Sequence, residues 1–282
     1  MTHRPHFRLP RPAVLAAPFV LLAVGLAACA GRVETVHTSP GFARADLATG
    51  RLGVGGVVLA SRLTLDPALA APTGVPVGDV LAQADALAGS LYGPLLAAGP
   101  GVPVWPWPAV REAGGDSLLA GILDAFARGG VLRPAQLAPL AAALGEVRYL
   151  ALARVEKDEI TLDQSAEAAI EKQRARDGRD VHAGSLDTAL KTRRKLTVTL
   201  DVYDLAAGRS VWTATAERHR DQFYDFTGSA AGEPPSVVPT GEPVITADGR
   251  PLPTADFTDV LDDACKVLAR RLLVPPEDGA SR

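Results

Sequence analysis

Few residue types in this chain stand at spacings that carry chemistry, and the first is a thiol. Cys29 follows Leu26-Ala27-Ala28 at the end of an apolar stretch from Ala13; small residues before a cut suit a peptidase groove, and the cysteine supplies a thiol that can take a diacylglycerol thioether. A second grouping is Glu217, His219 and Asp221, which share one face only if a strand continues as far as Asp221; they would then form an acid/base or metal-binding cluster. Asp262 and Asp263 are adjacent on a predicted helix, so they point about 100° apart and suit one ion poorly. None of the sequence patterns of nucleophile elbows, zinc helices, redox dithiols or phosphate-binding loops is present, and Gly53-Val54-Gly55-Gly56 has Val58 where a dinucleotide loop needs glycine. The sequence predicts no catalytic residue, no metal and no cofactor.

The segment before Cys29 explains its position. Arg4, Arg8 and Arg11 precede the apolar stretch, no acidic residue occurs before Glu34, and Pro18 interrupts a run too short for a membrane span. This is the order of a secretory signal. Leu26-Ala27-Ala28-Cys29 resembles the lipobox of bacterial lipoproteins at every position. That resemblance implies a signal peptide over 1–28, lipidation of Cys29 and attachment to the cell envelope. Ala30, where an inner-membrane sorting signal would have Asp, implies the periplasmic face of the outer membrane. Two or more acyl chains at about 0.8 kcal/mol per buried CH₂ hold stably where one does not.

Beyond residue 28 the chain has 26 basic and 32 acidic residues, and its only basic cluster is Arg193-Arg194-Lys195. Nucleic acid is therefore not an expected partner. With Cys29 acylated, the second cysteine, Cys265, has no intrachain partner and reads as a small buried hydrophobe. Two aromatic groups are candidate contacts for an envelope protein partner. Trp105 and Trp107 flank Pro106 in an extended segment, and Phe223, Tyr224 and Phe226 open a long Gly/Pro-rich stretch. Oligomeric state is not legible from the sequence.

Residues 29–50 read as a lipidated tether, 51–275 as one periplasmic domain and 276–282 as a tail. Arg51 to Leu65 predicts a strand, or two broken at Gly55-Gly56. Val80, Ala84, Leu87, Leu91 and Leu95 form one helical face, and further helices follow over 116–128 and from Pro134 to a stop at Gly145. Val147 to Val155 is an apolar run suited to a strand covered on both faces. Residues 163–193 are charged and poorly periodic, and predict a solvated helix followed by a mobile loop. Lys195 to Leu205 alternates, Ala207-Gly208 turns, and Ser210 to Glu217 returns, which predicts an antiparallel hairpin. A long loop over 221–253 and a helix from Ala255 to Leu273 complete the order. The expected fold is α/β, a layered domain whose mixed sheet contains that hairpin and has helices packed on it.

The stretch from Leu144 to Trp212 resembles an envelope fold shared by curli-secretion-type lipoproteins, penicillin-binding-protein activator lipoproteins and the N-terminal domain of TolB. The resemblance rests on the helix ending at Gly145, the strand Arg148 to Ala153, the run Leu196 to Leu205, Gly208 and Val211-Trp212. Members often have Gly where this chain has Arg154. The resemblance implies a non-enzymatic interaction or assembly factor; an envelope hydrolase or metal-dependent enzyme is the competing expectation.

Overall fold

The computed structural model describes residues 33–64, 75–76, 78–163, 189–225 and 254–274. Six strands form one mixed sheet: β1 (Val33–Thr38), β2 (Leu52–Leu59), β3 (Val104–Trp105), β4 (Tyr149–Asp163), β5 (Ala189–Asp204) and β6 (Arg209–Asp225). The helices are α1 (Asp46–Gly50), α2 (Ser61–Thr64), α3 (Val80–Ala98), α4 (Trp107–Gly114), α5 (Asp116–Gly129), α6 (Pro134–Leu144) and α7 (Phe257–Leu273). The strand order is β1-β6-β5-β4-β2-β3. β4, β2 and β3 run parallel, while β4, β5, β6 and β1 alternate in direction. This is the expected α/β fold with its antiparallel hairpin.

The hydrophobic pattern decides which face each helix covers. Leu196, Val198, Leu200 and Val202 of β5, with Trp212, Ala214 and Ala216 of β6, are all buried, and α7 packs over them beside α3. The α7 stripe of Phe257, Leu261, Ala264, Leu268 and Leu272 is buried in turn. Asp256 caps this helix by accepting from Thr258 N at 2.7 Å, and Asp79 caps α3 through Leu81 N at 3.0 Å and Ala82 N at 3.1 Å. On the opposite face, Val110 of α4 lies near Gly53 and Leu150, and Phe126 of α5 meets Tyr203 edge-on at 6.4 Å. β4 is therefore covered on both sides from Tyr149 to Val155, as its apolar run predicts.

Gly55-Gly56 does not divide β2. It forms a bulge against β4 between Val54 and Val57, with Gly56 at φ +107°. A Cβ on Gly56 would stand 2.8 Å from that of Ala84, so the glycine lets α3 approach the strand closely. Beyond Leu59 the expected strand gives way to the short helix α2.

Four other expectations change. Residues 33–50, assigned to the tether, are part of the folded domain: β1 pairs with β6 from Val33↔Ala216 to Thr38↔Trp212, and Arg44 donates to the Leu272 carbonyl at 2.8 Å to tie this segment to α7. The loop assigned to 163–193 is strand from 189 onward, and the loop assigned to 221–253 is strand as far as Asp225. Pairing across the hairpin supplies the backbone partners that charged sequence does not advertise. Helix α4 was not expected: Val102 to Trp107 reads as extended, yet Pro at the first helical positions is tolerated and Trp107 begins the helix. The proposed signal peptide, Cys29, Phe226 and the tail lie outside the described residues.

Candidate interaction surface

Beyond Val155 and Leu196 the three long strands leave the layered core as an arm. The arm comprises 156–163 of β4, 189–197 of β5 and 217–225 of β6. The β5–β6 register, counted outward from the turn at Ala207-Gly208, sets Lys195 opposite His219 and Arg193 opposite Asp221. One face is then a row of matched charges. Arg193 makes two bonds to the Asp221 carboxylate at 2.6 and 2.7 Å, and Lys195 reaches Glu217 at 3.0 Å. The Arg193 hydrogen bonds hold the Asp221 carboxyl below its usual range despite partial burial.

The continuing strand does place Glu217, His219 and Asp221 on one face. Their carboxylates, however, are engaged by the lysine and arginine of β5. Among the described residues no group of three or more His, Cys, Asp or Glu side chains converges as a metal site.

The opposite face of the arm is gripped by α7. Arg194 binds the Asp158 carboxylate at 2.9 and 2.5 Å, donates to the Ala255 carbonyl at 3.3 Å and lies 5.0 Å over the Phe257 ring. Arg220 reaches Asp259 and Asp263 of α7, both at 2.8 Å. Asp263 thus serves a helix–strand contact. Burial of Cys265 pushes its thiol pKa well up, as expected of an inert core cysteine.

Where β5, β6 and β1 pass the core, the face away from α7 is polar. Thr197, Thr199, Thr213 and Thr215 are half-exposed, and Thr35 and His37 of β1 are exposed. Thr199 and Thr215 hydroxyls lie 3.0 Å apart. Asp201 is buried at the inner border of this face and accepts from the Thr213 hydroxyl. Burial pushes its carboxyl up to about 6, against the lowering effects of Thr213 and Arg154. Arg154 pairs with Glu156 and donates to the carbonyls of Phe126 at 3.2 Å and Ala127 at 3.4 Å. It caps the end of α5, where cations are favoured, which gives a structural use to the departure at this position.

The two aromatic groups part company. Trp107 is only 3% exposed, and its indole N–H donates to Asp85 at 2.6 Å. It is a core residue, which corrects its assignment as a partner contact: the turn into α4 rotates it inward. Arg111 bridges Asp85 at 2.5 Å and Asp116 at 2.7 Å. Against a desolvation cost, the Trp107 and Arg111 hydrogen bonds hold the Asp85 carboxyl below its usual range. Trp105 lies half-buried on the edge strand β3. Phe223 and Tyr224 stand at the outer end of β6, opposite Lys191 and Leu190, with three strands between β6 and β3. The fold does not bring the two groups together. A shallow hollow between the first turn of α5 and α6 has Asp116 as its ionisable group, and Arg111 already binds it.

The arm and its buried Asp158–Arg194 pair were missed in the sequence. The signal was the complementary charge row, Lys195 and Arg193 against Glu217 and Asp221, which appears once the hairpin register is extended past the apolar residues.

No protein-family profile matches this sequence, and no curated protein does. Among solved structures, the chain is similar to the PelC dodecamer from Paraburkholderia phytofirmans at 12% identity, covering 87% of this chain and 99% of that chain, with a TM-score of 0.35. A point variant of the same dodecamer gives 13% identity, coverage of 84% and 96%, and a TM-score of 0.33.

Proposed function

We propose that this chain is a lipid-anchored, non-enzymatic protein of the cell envelope, held by a lipid on Cys29 at the periplasmic face of the outer membrane. There it acts as an interaction or assembly factor for another envelope protein. The observation that carries this reading is the arm: three strands continue beyond Val155 and Leu196, are held on one face by α7, and carry a partly buried row of matched charges on the other face, which no described helix covers. The lipobox resemblance at Leu26 to Cys29 and the resemblance of Leu144 to Trp212 to envelope lipoproteins support the same reading.

The test is a crosslinking pull-down from envelope membranes with the tagged native chain, a Cys29→Ala control, and a charge-swapped arm carrying Lys157→Glu and Glu159→Lys at exposed positions. One dominant envelope protein, captured by the native chain and lost with the swapped arm, is expected. Capture of nothing reproducible by the native chain overturns the reading. The competing enzyme is tested on the same purified material by hydrolysis of cell-wall and envelope substrates.

A further inference from the structure

Asp201 stands where a carboxylate needs a cation and meets a hydroxyl instead. It lies at the inner border of the polar sheet face, 5% exposed, and accepts from the Thr213 hydroxyl. Ionising a buried carboxyl is costly unless an opposite charge meets it. The groups that face it from β4 are Arg154 and Glu156, from β5 the Tyr203 phenol, and from β6 the hydroxyls of Thr213 and Ser210. On β1, His37 follows Thr213 in the same row and is exposed. Towards the end of α5, Arg128 pairs with Asp124 at 2.7 Å, and Arg133 before α6 is exposed. Arg154 is therefore the cation whose charge acts on Asp201.

The strand register brings the two within reach. Arg154 is opposite Thr199, and Asp201 follows two residues along β5, so they are diagonal neighbours on one face of the sheet. Such neighbours stand about 7–8 Å apart, a gap that a long side chain spans. The guanidinium is engaged elsewhere: it binds Glu156 at 2.6 Å and donates to the carbonyls of Phe126 at 3.2 Å and Ala127 at 3.4 Å. Those carbonyls end α5. The connection that follows is held by Gly130 N on the Phe126 carbonyl at 2.8 Å and by Leu132 N on the Tyr203 hydroxyl at 3.2 Å. It carries Val131, at 69% the most exposed large apolar side chain among the described residues.

We propose that Asp201 and Arg154 form a proton-controlled switch for the end of α5. With Asp201 protonated, Arg154 stays on the α5 carbonyls. When the carboxyl releases its proton to solvent, the guanidinium turns to it, the two carbonyls lose their donor, and the connection carrying Val131 loosens. Glu156 keeps a cation in both states, because Arg62 also binds it at 3.3 Å. Burial, which pushes the Asp201 carboxyl up to about 6, sets the pH range in which the exchange occurs.

The experiment places a nitroxide spin label at Val131→Cys in the full chain, in a Cys29→Ala background so that the label goes to residue 131; Cys265 is buried. A label at Glu112→Cys, exposed on α4, is the control. The mobile fraction of the spectrum at 131 is expected to rise several-fold between pH 5 and 7.5, with no change at 112. Asp201→Asn keeps the label immobile throughout, and Arg154→Ala leaves it mobile throughout. A pH-dependent change that persists in either variant, an equal change at 112, or no change at all overturns the switch, as does loss of the transition in His37→Gln. Should Asp201→Asn fail to fold, Thr213→Val removes a hydroxyl that favours the ionised carboxyl and is expected to move the midpoint to higher pH. An unmoved midpoint overturns the assignment to Asp201.

Discussion

Arg194 of β5 and Asp158 of β4 form a doubly hydrogen-bonded ion pair whose side chains are 1% and 3% exposed, at the point where the arm leaves the core. Removing one partner leaves the other charge buried. Asp158→Ala is expected to lower stability by about 3–5 kcal/mol, while replacing both residues with apolar ones of similar volume restores most of it. Urea unfolding with an unchanged slope is the measurement. Equal destabilisation by the single and double variants would show that the pair is not the cause.

Asp201 sets a pH dependence of opposite sign to that of most carboxylates. Its folded pKa of about 6 lies above the ordinary carboxylate value of 3.8, so the folded state binds more protons between those values. Stability is fully present below the unfolded pKa and falls as pH rises through the folded one. Asp201→Asn keeps an acceptor for Thr213 and is expected to flatten the curve between about pH 4 and 6. At pH 7 it should gain on the order of 2–3 kcal/mol. Thermal unfolding across that range reads the difference; an unchanged slope would rule out Asp201 as its source.

Gly130 ends α5 at φ +69°, and a Cβ there would fall 2.3 Å from the Arg154 guanidinium. Gly130→Ala combines backbone strain with loss of the cap on Phe126 and Ala127, and is expected to cost about 2 kcal/mol or more. Arg154→Ala removes the clash but also the cap, so the two changes should be clearly less than additive. Additive losses would place the cost in the backbone alone.

Trp107→Phe preserves most of the buried ring but leaves Asp85 without its indole donor. A loss of about 1–2 kcal/mol is expected, with capture of any envelope partner unchanged at protein concentrations where the variant is folded. Weakened capture by the folded variant would return Trp107 to the interaction surface.

The sequence alone determined whatever depends on local periodicity. The helices beginning near Val80, Asp116, Pro134 and Phe257, the doubly covered strand from Tyr149 and the turn at Ala207-Gly208 were legible because each places apolar or turn residues at the spacing of its own geometry. The Cys29 expectation is equally local. What the tertiary structure decided is where charged strands go. Lys191 to Arg193 and Asp221 to Asp225 read as loop because their stabilisation comes from cross-strand pairing, by residues far away in the chain. Val33 to Thr38 looked like a tether for the same reason: its hydrogen bonds are made by β6, some 180 residues later. Trp107 turned inward, where Asp85, 22 residues before it, offers a carboxylate to its indole N–H. Periodicity reports which face of an element is apolar, but only the packed chain determines which distant segment satisfies its backbone and its charges.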